Sequence, residues 1–165
     1  MADLSDKEID SGPRNFVGTG GVIPIGKRKF AVGLYWEALS SEGKAAKPVA
    51  QAKAAAANYG ADYYCIRKGN TPQFGLGSSE VGHAGGMVPL ASLLAEIVDG
   101  NFIAVFKVEG QGYYLVAVRE DQILATYDRL IEDQQEAIEA FTDQFQGGGI
   151  WSQAIAPKEW GLENT

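Results

Sequence analysis

Residues 101–128 constrain this fold most, because they read as three consecutive strands that need cover on both sides. Phe102, Ala104, Phe106 and Val108 alternate with Ile103, Val105 and Lys107. Both faces of the first strand are therefore largely apolar, which places it mid-sheet. Glu109-Gly110-Gln111-Gly112 supplies a glycine-rich reversal, Tyr113 to Arg119 is a second β-branched and aromatic run, and Glu120-Asp121 turns into residues 122–127. The result is a meander, expected to be the stability core. On that reading Phe106→Ala costs about 3–5 kcal/mol, the range of a buried large-to-small change.

The flanking segments look arranged to cover that core. With 165 residues, 45% of them hydrophobic, the chain suits one α/β domain over residues 20–160. A flexible polar segment (1–19) precedes it and a short linker-like tail (161–165) follows. Val22, Ile23 and Ile25, a Gly26-Lys27 turn and residues 30–39 suggest a β-hairpin, with Pro24 confining the first arm to an edge or bulge. Residues 48–59 are alanine-dense, open on Pro48 and close on Gly60, the signature of a short helix. Residues 61–67 follow as a strand, giving a strand-helix-strand unit that crosses right-handedly if its strands are parallel. Residues 68–86 read as a long glycine, serine and asparagine loop. Met87, Leu90, Leu94 and Ile97 mark a helix with Pro89 in its first turn, ended by Gly100. A helix over 132–145, a short strand within 150–155 and a turn at 157–160 complete a mixed β-sheet with flanking helices.

Composition removes several functional classes. The charge of −7, from 21 acidic against 14 basic residues, argues against a nucleic-acid surface. Lys27, Arg28 and Lys29 form the tight basic cluster and read as a solvated hairpin tip. A single cysteine excludes an internal disulfide, and no run of about 18 apolar residues could span a bilayer. The glycine-rich Phe74-Gly75-Leu76-Gly77-Ser78-Ser79 lacks both the P-loop ending and the third glycine of a dinucleotide fingerprint. His83, the only histidine, reads as solvent-facing and has no second imidazole to share a metal. Cys65 lies in an apolar strand and reads as inert packing. Ser78 and Ser79 lack a nucleophile-elbow pattern. No catalytic, cofactor-binding or metal residue is assigned, and no partner-binding residue is named.

Three aromatic-marked segments carry a resemblance. Phe30-Ala31-Val32-Gly33-Leu34-Tyr35-Trp36, then Tyr113-Tyr114-Leu115-Val116-Ala117-Val118-Arg119 with Gln122-Ile123-Leu124, then Trp151 and Ala156-Pro157-Lys158-Glu159-Trp160 resemble the pilin accessory PilO family of type IVb pilus systems. The resemblance implies the cytoplasmic domain of an inner-membrane assembly-platform protein. It also implies kinship with the cytoplasmic domains of type II secretion L proteins and pilus M proteins, and so an actin-like (ribonuclease-H-like) subdomain. Nucleotide-hydrolysing actin-like proteins carry an acidic residue and a glycine after the first-strand Val-Gly-Ile. Here Val32-Gly33-Leu34 is followed by Tyr35-Trp36, which cannot hold a hydrated magnesium ion, and Glu37 and Asp62 are the nearest acids.

The resemblance therefore implies a non-catalytic scaffold without ATPase activity or cofactor. Its partners would be the pilus assembly ATPase and inner-membrane platform subunits, with a homodimer admitted and no nucleic acid. Its place would be the cytoplasmic face of the bacterial inner membrane, with membrane attachment through a C-terminal anchor expected beyond Thr165. The alternative is a small-ligand or nucleotide-binding module using the loop bounded by Gly75 and Gly86. An enzyme built on scattered carboxylates such as Glu37 and Asp62 is the third reading.

Overall fold

The computed structural model describes residues 3–5, 16–40, 47–147 and 149–162. It is a mixed α/β architecture of three sheets and three α-helices. Gly26 and Lys27 close the expected antiparallel hairpin of β1 (Val22–Ile25) and β2 (Arg28–Ala31). β1 is an edge in the order β1-β2-β6, the position a strand containing Pro24 requires. The expected strand over 30–39 is broken. Gly33, at φ 74, turns the chain out of the first sheet, and β3 (Tyr35–Ala38) joins a second one. A Cβ on Gly33 would run into the backbone of Gly20, so only glycine fits this left-handed turn.

α1 (Pro48–Tyr59) ends on left-handed Gly60 as the sequence suggests. β4 (Tyr63–Arg67) buries Tyr63, Cys65 and Arg67 on one face. The next segment corrects the sequence reading. Within the expected 68–86 loop lies β5 (Gln73–Gly77), buried along its whole length. It sits between β3 and β4 and runs antiparallel to both, so β3 and β4 are parallel but do not pair. The strand-helix-strand unit exists with a third strand inserted in its middle. The glycines that made this segment look like a loop admit bulky neighbours: a Cβ on Gly75 would stand 2.8 Å from the Trp36 ring and 3.0 Å from Cys65 Sγ. α1 covers this sheet through Ala52 and Ala56 against Phe74 and Leu76.

β6 (Val88–Pro89) pairs in parallel with β2 and leads directly into α2 (Leu90–Ile97). The expected meander follows as β7 (Phe102–Val108), β8 (Gly112–Arg119) and β9 (Gln122–Ile131). β7 is mid-sheet in the order β10-β7-β8-β9, because β10 (Gln153–Ile155) pairs with its other edge in parallel. Phe102, Ala104, Tyr114, Val116 and Val118 pack toward β1, β2 and α2. Ile103, Val105, Leu115 and Ala117 pack on the opposite side against α3 (Gln134–Gln146). Asp133 caps α3 by accepting from the Glu136 amide at 2.8 Å. Trp160, in the closing turn, packs against Tyr113 and Phe141.

Cover of β7 stops at Val105. Phe106 is 38% exposed, since the face it shares with Phe102 and Ala104 opens there into a groove beside β1 and α2, so the expected 3–5 kcal/mol core cost does not apply there. Most of the segment read as flexible (1–19) lies outside the described residues, at 1–2 and 6–15. Its residues 3–5 are docked instead: Leu4 is buried, its amide bonds Met87 O at 3.0 Å, and the Ser5 amide bonds Tyr64 O at 2.7 Å. Of the 161–165 tail, residues 163–165 lie outside the described residues. Among the described residues no helix is long and apolar enough to cross a membrane.

Candidate functional site

The glycine-rich segment bounded by Gly75 and Gly86 is not an open cradle. The Ser78 amide donates to His83 Nδ1 (3.0 Å), the Ser79 amide to Asp62 Oδ1 (2.8 Å) and the Glu80 amide to Ser78 Oγ (3.1 Å). The Val81 and His83 amides both reach Ser78 O, and the Gly82 amide reaches Ser79 O. The donors that a phosphate loop would offer are engaged inside the protein. His83 is 3% exposed, which overturns the solvent-facing reading. With Nδ1 accepting, Nε2 carries the hydrogen and donates to Val32 O (2.8 Å) and Gly21 O (3.1 Å). Burial lowers its pKa below the ordinary imidazole value, so the ring stays neutral and ties the 78–83 turn to β2. Ser78 meets this ring through its amide, its hydroxyl accepts from the Glu80 amide, and Ser79 Oγ is bonded to Asp62, so neither hydroxyl forms a nucleophile pair with the imidazole.

A second buried cluster gathers where no candidate was placed. Asp128 is 2% exposed and accepts four hydrogen bonds, from Gly33 N (3.0 Å), Leu34 N (3.3 Å), Trp36 Nε1 (2.7 Å) and Tyr114 Oη (2.8 Å). Desolvation pushes its pKa up while these four donors pull it down, and burial prevails. A bulge aims it inward. Val116 pairs with Asp128 and Val118 with Ile123, so residues 124–127 stand opposite Ala117 alone, with Thr126 at φ 67. The sequence signal was an aspartate inside a β-branched and aromatic run, where acids are depleted. Trp36, one of the aromatic pair that follows Val32-Gly33-Leu34, is thus a hydrogen-bond donor to this carboxylate. Glu37 accepts from Tyr35 Oη at 3.2 Å on the surface.

The remaining candidates resolve simply. Cys65 is buried and its pKa is pushed up to about 12 by desolvation, the inert thiol the sequence suggests. Gln73 and the Ile123 backbone exchange two bonds, at 2.8 and 2.9 Å, clamping β5 to β9. Among the described residues no group of three or more His, Cys, Asp or Glu could hold a metal ion.

Three open depressions stand out, and the widest, of about 580 Å³, is polar and acidic, lined by Asn70, Asp99, Asn101, Glu120 and Asp121; the other two are largely apolar. One groove, of about 380 Å³, runs between β1, the start of α2 and the far end of β7, and is lined by Ile23, Ile25, Leu90, Leu94 and Phe106 with Lys107 and Glu109. Another, of about 390 Å³, lies between α3 and β10, lined by Phe141, Phe145, Ala154, Ile155 and Leu162. The buried polar clusters are thus spent on internal bonding, while apolar side chains line two of the surface grooves.

Residues 30–165 match the family described as pilin accessory protein (PilO), and the chain belongs to that family, one of type IV pilus biogenesis. The fold resembles the crystal structure of the cytoplasmic domain of BfpC, with a TM-score of 0.68 and 22% identity over 92% of this chain and 90% of that one. No curated protein sequence matches the chain.

Proposed function

We propose that this chain is a non-catalytic scaffold of the pilus assembly platform, whose α/β domain over residues 20–160 recruits the assembly ATPase and other inner-membrane platform subunits. The observation carrying this reading is membership of the pilin accessory family, joined to a surface that offers apolar grooves while the buried carboxylate, imidazole and thiol are held internally. The arrangement of sheets is read as an actin-like subdomain in which Tyr35-Trp36 stand in place of a metal-organising acid and glycine. The likeness to a cytoplasmic domain supports a place at the cytoplasmic face of the inner membrane, and a homodimer is compatible with the groove between α3 and β10. Deleting the gene in its native host is expected to abolish or thin the pili, with restoration by the intact gene. The assembly ATPase is expected to co-purify with the tagged chain. Normal piliation in the deletion strain overturns the reading.

A further inference from the structure

We propose that the groove between β1, α2 and the far end of β7 receives an acidic amphipathic helix of a protein partner. This rests on the scaffold reading and names the chemistry of one partner within it. Ile25 is 51% exposed and Phe106 38% exposed. They come from different sheets yet meet in one groove floored by Ile23, Leu90 and Leu94. Apolar side chains from three elements converge there on one concave surface, the form of a site that accepts apolar side chains.

The shape favours a helix over a strand. β1 is an edge of four residues, and Pro24 removes one donor from so short a row, which disfavours adding a strand beside it. A groove with apolar walls from three elements suits side chains arriving at helical spacing. Charge chooses the flank of that helix. Arg28 lies directly opposite Ile25 on the same hairpin face, with its guanidinium 5.5 Å from the Phe30 ring centroid. Lys107 lines the groove, Lys27 lies in the adjoining turn, and Glu109 is the acid among the lining residues, while Lys29 falls on the opposite face of the hairpin. On a chain of net charge −7 this rim is locally positive. It attracts acidic flanks and turns basic ones away, and the overall charge disfavours a second copy as occupant.

The test measures binding of the whole chain to three synthetic peptides of about 18 residues, long enough to form a helix, by fluorescence anisotropy. One carries leucine and phenylalanine at helical spacing with glutamate flanks, one has lysine flanks, and one scrambles the apolar spacing. The glutamate peptide is expected to bind about tenfold or more tightly than either other, and less so at high salt. Arg28→Glu with Lys107→Glu is expected to reverse the preference between flanks. Ile25→Ser with Phe106→Ser is expected to weaken all binding about tenfold, with circular dichroism reporting the retained fold. Equal affinity for the three peptides overturns the proposal. So does a dimer that Phe106→Ser dissolves, which assigns the groove to a second copy. So too does binding to vesicles of anionic phospholipid with the same variant dependence, which assigns it to a membrane. Failure here leaves the scaffold reading to its own test in the host, where piliation is the readout.

Discussion

The Trp36 indole donates to Asp128 Oδ2 at 2.7 Å across 92 positions of sequence, so one buried carboxylate joins the β3 end of the second sheet to β9 of the meander. Asp128→Asn replaces an acceptor-only group by one whose NH2 faces buried donors. It is expected to cost about 2–4 kcal/mol in denaturant unfolding, because buried donors lose their partner. A loss under about 0.5 kcal/mol, within ordinary surface-substitution scatter, would mean the four donors are satisfied elsewhere.

His83 makes stability sensitive to acid. Its folded pKa lies below its ordinary value of 6.5, so between the two the unfolded chain binds more protons and stability falls as pH drops. The slope is bounded at about 1.4 kcal/mol per pH unit for one proton. Asp128 acts with the opposite sign: raised from 3.8, its contribution falls as pH rises from that value through the folded one. Unfolding curves of the parent and His83→Gln, both retaining Asp128, isolate the imidazole. The variant is expected to lose the acid-side slope just below pH 6.5, and parallel curves would show that His83 titrates normally.

Gly75→Ala tests the close approach inside β5. The added methyl would meet Trp36 and Cys65 at 2.8 and 3.0 Å, and overpacking of this kind costs about 1–3 kcal/mol. A lowered melting temperature with altered tryptophan fluorescence is expected. Unchanged values of both would mean that the indole has room to move.

Phe106 and Phe102 share a strand but differ in exposure, 38% against 1%. Phe102→Ala is expected to cost about 3–5 kcal/mol and Phe106→Ala about 1 kcal/mol, the central value for point substitutions. Equal losses in parallel denaturations would show that the groove is closed in solution.

Much of this arrangement was legible in the sequence, and the failures share a cause. The meander, the β1–β2 hairpin, α1 with its proline start and glycine end, and the capped α3 rest on local periodicity and termini, which the chain states directly. β5 was missed because its glycines serve neighbours distant in sequence, Trp36 and Cys65, and local composition carries no trace of them. The break at Gly33 was hidden because apolar residues run across it on both sides. His83 and Asp128 read as surface or strand-end residues, since their burial depends on distant partners at Gly21, in the segment Val32-Gly33-Leu34, and on β3 and β8. Phe106 erred the other way: alternation places a side chain on a face but does not say how far along the strand that face is covered.

The span between Trp36 and Asp128 also bears on how the protein is made. At a synthesis rate of about 5–20 residues per second, 92 positions take about 5–18 s. Over that interval β4 and β5 are still being made and β1 to β5 emerge in turn, while the carboxylate that anchors Gly33, Leu34 and Trp36 is yet to be delivered. The first two sheets therefore wait in incomplete form, with their apolar faces uncovered, until β9 emerges. Translation speed across the meander, and chaperones at the exit tunnel, thereby become determinants of how much functional protein a cell obtains.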